Sequence, residues 1–156
     1  MDDVRLWFSE LPPSLNKLYY YRSGRRVLTK TGRTFKNSML ASRGGLTAAE
    51  AMKIKMDPHG TYAAHFWFYL PRGRVISERY GQDGRVKHPF QRIDTTNLVK
   101  LAEDVTATLL GVDDRCNWSV LLHKRIADAN HPPGVIVLIE EMDLSEDDDY
   151  EPPPLY

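Results

Sequence analysis

Val4, Leu6 and Phe8 alternate with Arg5, Trp7 and Ser9 at the start of the chain, a period of two that predicts a strand stopped by Leu11-Pro12-Pro13. Ser14-Leu15-Asn16-Lys17 reads as a turn. Tyr19-Tyr20-Tyr21 and Arg26-Val27-Leu28-Thr29, separated by Ser23-Gly24, read as the arms of a short hairpin. A helix is expected from about Thr31 to Ser42, broken by Gly44-Gly45. Thr47-Ala48-Ala49-Glu50 has the form of a capping box opening a second helix, to about Met56. From Thr61 to Leu70 the alternation returns, with Tyr62, Ala64, Phe66, Phe68 and Leu70 on one face. This is the clearest strand in the chain.

Pro71 to Gln91 follows as a long polar loop, and loops of that length are usually functional or mobile. Asp94 to Leu110 then reads as an amphipathic helix whose apolar stripe is Leu98, Leu101, Ala102, Val105 and Leu109, with Gly111 where a C-terminal cap belongs. Trp118 to Ile126 and Gly134 to Glu141 form a final pair of strands, expected as a hairpin joined around Asn130-His131-Pro132-Pro133. Strands and helices in this order indicate a single α+β domain, a mixed sheet of about four to six strands with two to three helices. Residues 1–142 make up that domain, and the acidic, proline-rich 143–156 are expected as a disordered tail.

Composition adds little until charge is divided along the chain. The formal net charge is zero, yet eight acids fall within residues 140–156, which contain no base. The rest holds 21 bases against 13 acids, a surplus of +8. Nucleic acid is the commonest polyanionic partner of such a body, and a solvated basic face is the plain alternative. Lys17 to Lys36 concentrates the surplus: Lys17, Arg22, Arg25, Arg26, Lys30, Arg33 and Lys36 appear with no acid and with three tyrosines among them. These bases are candidates for phosphate contact, and at least one tyrosine is expected to pack. Arg72, Arg74, Arg79, Arg85, Lys87 and Arg92 form a second candidate set. No run is apolar enough to span a membrane, the start has no signal-peptide layout, and the lone Cys116 makes no internal disulfide, so a cytoplasmic setting is expected. The histidines His59, His65, His88, His123 and His131 show no metal-ligand spacing. Trp7, Trp67 and Trp118 are assigned to core or dimer packing.

The chemistry-bearing segment runs from Arg92-Ile93-Asp94 through Asn97, Lys100 and Asp104 to Asp113-Asp114. At ~100° per residue, Asn97, Lys100, Asp104 and Thr108 share an arc of about 80° beside the apolar stripe. A helix of this length spans roughly 25 Å, so Asp94 and Asp114 share a site only if the chain turns back after Gly111. Carboxylates so gathered suit magnesium, a hard ion that takes one or two of them beside water and phosphate. A lysine nearby offsets charge building on a reacting phosphate. The structural alternative is an N-cap at Asp94, a surface ion pair between Lys100 and Asp104, and a polar turn at Asp113-Asp114.

In order and spacing the chain resembles the RusA family of Holliday junction resolvases. Pro12-Pro13-Ser14-Leu15-Asn16 with Tyr19-Tyr20 resembles the family's N-terminal signature, and Thr29-Lys30-Thr31-Gly32 its step into the first helix. Asp94-Thr95-Thr96-Asn97-Leu98-Val99-Lys100 with Asp113-Asp114 resembles its core motif, and Gly134 to Ile139 its last strand. The likeness extends over about residues 4–142. It implies a homodimeric, magnesium-dependent endonuclease of branched DNA, with manganese as a substitute and no small-molecule cofactor. Asp94 and Asp114 would hold metal with Asp113 as a neighbour, Lys100 would be the catalytic lysine, and Asn97 would shape the site. Thr96 stands where the family has a second acid; Asp104 compensates, the site works with fewer ligands, or cleavage is weakened or lost and a branched-DNA-binding protein remains. A domain that binds no nucleic acid is the third reading.

Overall fold

A computed structural model of the chain describes residues 3–13, 15–54, 56–76, 82–85 and 96–143. Strand β1 (Val4–Phe8) is followed by one helical turn, α1 (Leu15–Leu18), where the sequence suggests a plain turn. The hairpin β2 (Tyr19–Arg22) and β3 (Arg25–Leu28) closes through Ser23 and Gly24, both at positive φ, 52° and 72°. Two consecutive left-handed residues match the right-handed twist of the arms. Helix α2 (Lys30–Ser42) begins at an N-cap, Thr29, whose hydroxyl accepts from the Gly32 N–H at 3.0 Å. A 3-10 turn at Arg43–Gly45 then leads to α3 (Ala48–Lys53), opened by the expected reciprocal bonds between Thr47 and Glu50. It ends at Ile54, short of Met56.

Strand β4 (Tyr62–Leu70) buries the face formed by Tyr62, Ala64, Phe66, Phe68 and Leu70. After a single turn, α4 (Arg72–Val75), and a described turn at 82–85 come α5 (Thr96–Leu110), a 3-10 turn at Asp114–Cys116, β5 (Asn117–Ile126) and β6 (Gly134–Glu141). Asp94, Arg92, Arg79, Lys87, the Asn97 side chain and residues 144–156 lie outside the described residues.

The fold is α+β, with a mixed four-stranded sheet in the order β1-β6-β4-β5 and the β2-β3 hairpin apart from it. β5 and β6 are not a hairpin: β4 lies between them, antiparallel to β6 and parallel to β5. A helix linking two strands brings the second back parallel to the first, and α5 does this between β4 and β5. The sequence between β5 and β6 resembles a hairpin loop, but it carries the chain past the end of β4, where Ala127 N–H bonds to the Leu70 carbonyl at 2.8 Å.

Register sorts the side chains into two faces. Leu6, Val137 and Phe66 form one row across three strands, and Phe8, Val135 and Phe68 the next, all buried. Leu98, Leu101, Ala102 and Val105 of α5, with Leu18 and Met39, complete this core. Full burial of such side chains stabilises by roughly 1.5–3 kcal/mol each, which makes this face the main source of stability. The opposite face carries Trp7, Ile136, Trp67 and His123 in one cross-strand row.

Candidate active site at the carboxylate–lysine cluster

Helix α5 and the turn after it build the site together. Gly111, at φ 69°, ends the helix in the left-handed conformation, and Val112 N–H bonds back to the Ala107 carbonyl at 3.1 Å. This is the Schellman arrangement, which satisfies an orphan carbonyl and reverses the chain. Asp113 then caps the next turn, accepting from the Arg115 N–H at 2.9 Å, and Asp114 is carried back to the helix. The return that the sequence left open is therefore made on the Asp114 side.

Lys100 is the meeting point. Its Nζ lies 2.8 Å from Asp114 Oδ2 and 3.0 Å from Asp104 Oδ1, so one ammonium bridges two carboxylates from different elements. Burial alone would lower the Lys100 pKa. Its hydrogen bonds to Asp114 and Asp104 outweigh that and raise it above the ordinary lysine value. Lys100 is thus a fixed positive charge and not a proton acceptor at neutral pH. The surface-pair alternative accounts for Lys100 and Asp104, but not for Asp114, which the chain must turn back to place.

Two further contacts were not legible in the sequence. Tyr19, at the base of the basic hairpin, lies near the Asp104 carboxylate; burial first and this charge second raise its phenol pKa. Asn117 Nδ2 donates to Glu103 Oε1 at 3.0 Å and ties the start of β5 to α5. Each is a long-range pairing that depends on how the hairpin and β5 dock on α5. Tyr19 carried a sequence signal, a tyrosine expected to pack; Asn117 carried none.

Asp113 is held by Arg115, Nε to Oδ1 at 3.0 Å, and this pairing lowers its pKa to about 2. It adjoins Asp114 but is engaged with Arg115. Thr96 begins α5 and is exposed; Asn97 follows it in the same helix. In the hairpin, Arg26 lies over the Tyr19 ring, 3.9 Å from its centroid, and Arg33 bonds the Leu28 carbonyl at 2.9 Å. Lys17, Arg22, Arg25 and Lys30 are exposed, as is Tyr21. Arg72 and Arg74 are exposed on α4, past the C-terminal end of β4, whereas Asp114 precedes β5 at the other end.

Of the two roles expected for Trp118, core or dimer packing, its 64% exposure excludes the core: among the described residues β5 is an edge strand. The histidines also gather in a way the sequence did not suggest. His65 and His123 stack on Trp67 at 5.7 and 5.0 Å, and His131 stacks on Tyr69 at 4.8 Å. Parallel pairing of β4 and β5 sets His123 beside Trp67, His65 lies two residues along β4 from the same indole, and His131 reaches Tyr69 from the segment between β5 and β6.

Among the described residues no group of three or more histidine, cysteine or acidic side chains is gathered as a metal would need, and Asp94 is not among them. The donors present still suit a hard cation: two carboxylates, part-exposed, already hold one positive charge between them. No protein-family model matches the chain, and no curated protein matches it at a significant level.

Proposed function

We propose that the chain is a magnesium-dependent, structure-selective endodeoxyribonuclease of the RusA type, acting as a homodimer on four-way junctions and related branched DNA. The observation that carries the reading is the Lys100 ammonium held between Asp104 and Asp114, with the basic hairpin attached to the same cluster through Tyr19.

Asp114 and Asp104 would hold the metal together with Asp94, and Asp113 would act beside them. A bound magnesium ion would polarise the scissile phosphate and supply an activated water. Lys100, permanently charged, offsets negative charge developing on the phosphate oxygens. Tyr19, close to the Asp104 charge, would link the position of the hairpin to the cluster. Lys17, Arg22, Arg25 and Lys30 present exposed charge for phosphate contact, while Arg26 and Arg33 shape the hairpin that carries them.

A second reading has its own support. Thr96 replaces an acid of the family pattern, and Lys100 fills the space between two carboxylates, as expected of a branched-DNA-binding protein that does not cleave. Incubation of a synthetic four-way junction with magnesium decides between them, with linear duplex and Asp94→Asn and Asp114→Asn proteins as controls. Paired nicks that vanish in both variants support the nuclease. Salt-sensitive junction binding without nicks supports the binding protein, and no junction binding at modest salt removes both.

A further inference from the structure

The Arg43–Gly45 turn packs against β1, so closely that a Cβ on Gly44 would stand 2.7 Å from Leu6 Cβ. Beside it, the chain leaving β5 turns back into β6. Asp128 Oδ1 accepts the N–H groups of Asn130 and His131 at 2.8 and 2.7 Å, which fixes that second turn. An open cleft of about 520 Å³ lies between the two turns and β1, lined by Arg5, Trp7, Gly45, Leu46, Asn130 and His131 among others. Clefts of this size take small organic ligands.

The fold positions each wall. A Cβ on Gly134 would stand 2.6 Å from Trp7 Cη2, so the indole lies over the start of β6. The His131 ring is stacked on Tyr69, with centroids 4.8 Å apart, and its Nδ1 is 3.4 Å from Asp128 Oδ1. Arg5 is exposed, and its guanidinium makes no ion pair or hydrogen bond among the described residues. The same holds for the Asn130 carboxamide. Among the described residues no acidic side chain lines the cleft. It therefore combines flat rings, one unengaged cation and one unengaged amide.

We propose that this cleft binds a single nucleotide with an adenine base: the ring against Trp7, the phosphate on Arg5, and the base edge on Asn130. An indole is a stacking surface for a base. A guanidinium matches phosphate oxygens with two parallel hydrogen bonds. A carboxamide presents acceptor and donor side by side, the complement of adenine N6 and N7. A bare carboxylate or phosphate would use Arg5 alone and leave the rings and the amide without a role. A free nucleotide and an unpaired nucleotide within a strand offer this same chemistry. Asp114 lies just before Asn117, which pairs with Tyr62, whereas Trp7 shares a row with Trp67, five residues farther along β4. That offset is roughly 17 Å at strand spacing. The cleft is thus separate from the Lys100–Asp114 cluster, and the inference does not rest on cleavage.

Calorimetric titration of the full chain with dAMP tests it, with dTMP, inorganic phosphate and a short deoxyadenosine strand as further ligands. dAMP should bind at sub-millimolar concentration and quench tryptophan fluorescence, and dTMP should bind about tenfold more weakly. Arg5→Gln and Asn130→Ala alter exposed positions, so both should keep the native far-ultraviolet spectrum. Each should lower dAMP affinity by about tenfold. Asn130→Ala should leave dTMP affinity unchanged, which a general structural change would not do. A strand that binds at least about tenfold more tightly than dAMP, with the same loss in Arg5→Gln, assigns the site to an unpaired nucleotide. A strand that binds no more tightly than dAMP assigns it to the free one. Asp114→Asn should bind dAMP as the unaltered chain does, so this result and junction nicking are read independently. No dAMP binding at millimolar concentration, unchanged affinity in both variants, or phosphate binding as tightly as dAMP overturns the site.

Discussion

At Lys100, burial and hydrogen bonding act on one ammonium in opposite directions, and hydrogen bonding prevails. A raised folded pKa contributes stability that is complete below the unfolded value and is lost only as pH rises through the folded one. Acidification through the neutral range therefore leaves this charge intact. The pairs are part-exposed, so their net contribution to stability is at most about 1 kcal/mol. Lys100→Met should accordingly lower nicking by about 100-fold or more while shifting the unfolding midpoint by only a few degrees. A midpoint loss as large as the activity loss would make Lys100 structural. Thr106 is the converse case. Its hydroxyl, in the helix that carries the site, is buried with no hydrogen-bond partner among the described residues. Valine has nearly the same shape and no unsatisfied group, so Thr106→Val should raise stability by about 1 kcal/mol, read as a higher urea midpoint at unchanged slope.

At the scale of elements, local patterns were legible because they act within a few residues. Alternation fixed β1 and β4, the Thr47–Glu50 box fixed the start of α3, and Gly111 fixed the end of α5. Pairings between elements were not. Nothing in Trp118 to Ile126 distinguishes a strand parallel to β4 from one arm of a hairpin with β6, because alternation is the same in both. The site follows the same division: Lys100 and Asp104 were visible as an i,i+4 pair and Asp114 as a conditional member, whereas Tyr19 and Asn117 depend on docking. The joint between hairpin and α2 shows how a short motif acquires meaning. Thr29 Oγ1 donates to the Lys17 carbonyl at 2.7 Å and accepts from Gly32, and a Cβ on residue 32 would stand 2.9 Å from the Leu18 carbonyl oxygen. Gly32→Ala should therefore destabilise by roughly 1–3 kcal/mol. It should also loosen Tyr19 from Asp104, seen as a lowered Tyr19 titration midpoint by NMR.

Across the whole molecule, pH and salt report on different surfaces. His123 stacks on Trp67, and burial, then Arg125, then His65 lower its pKa. A lowered pKa contributes stability that is complete above the unfolded value near 6.5 and declines as pH falls below it. The thermal midpoint should fall between pH 7 and 5, and less so in His123→Phe, which keeps a ring against Trp67. An equal fall in both proteins would assign the effect elsewhere. Salt should act on the exposed cations of the hairpin. Replacing Arg22, Arg25 and Lys30 with alanine should weaken junction binding and flatten its dependence on log salt by about 0.9 per lost phosphate contact. An unchanged slope would remove the hairpin from the DNA-binding surface.

The pairing of β1 with β6 bears on how the chain folds during synthesis. Val4 is matched with Ile139 and Phe8 with Val135, so β1 waits for β6, more than 120 residues later in the chain. During translation, at roughly 5–20 residues per second, β1 leaves the ribosome many seconds before its partner exists. The β2-β3 hairpin and α2 complete themselves locally, but the core rows of Leu6 and Phe8 close only when β6 is released. Ribosome-bound chains stalled before Gly134 should therefore be cut readily by protease within β1, and chains released past Glu141 should not.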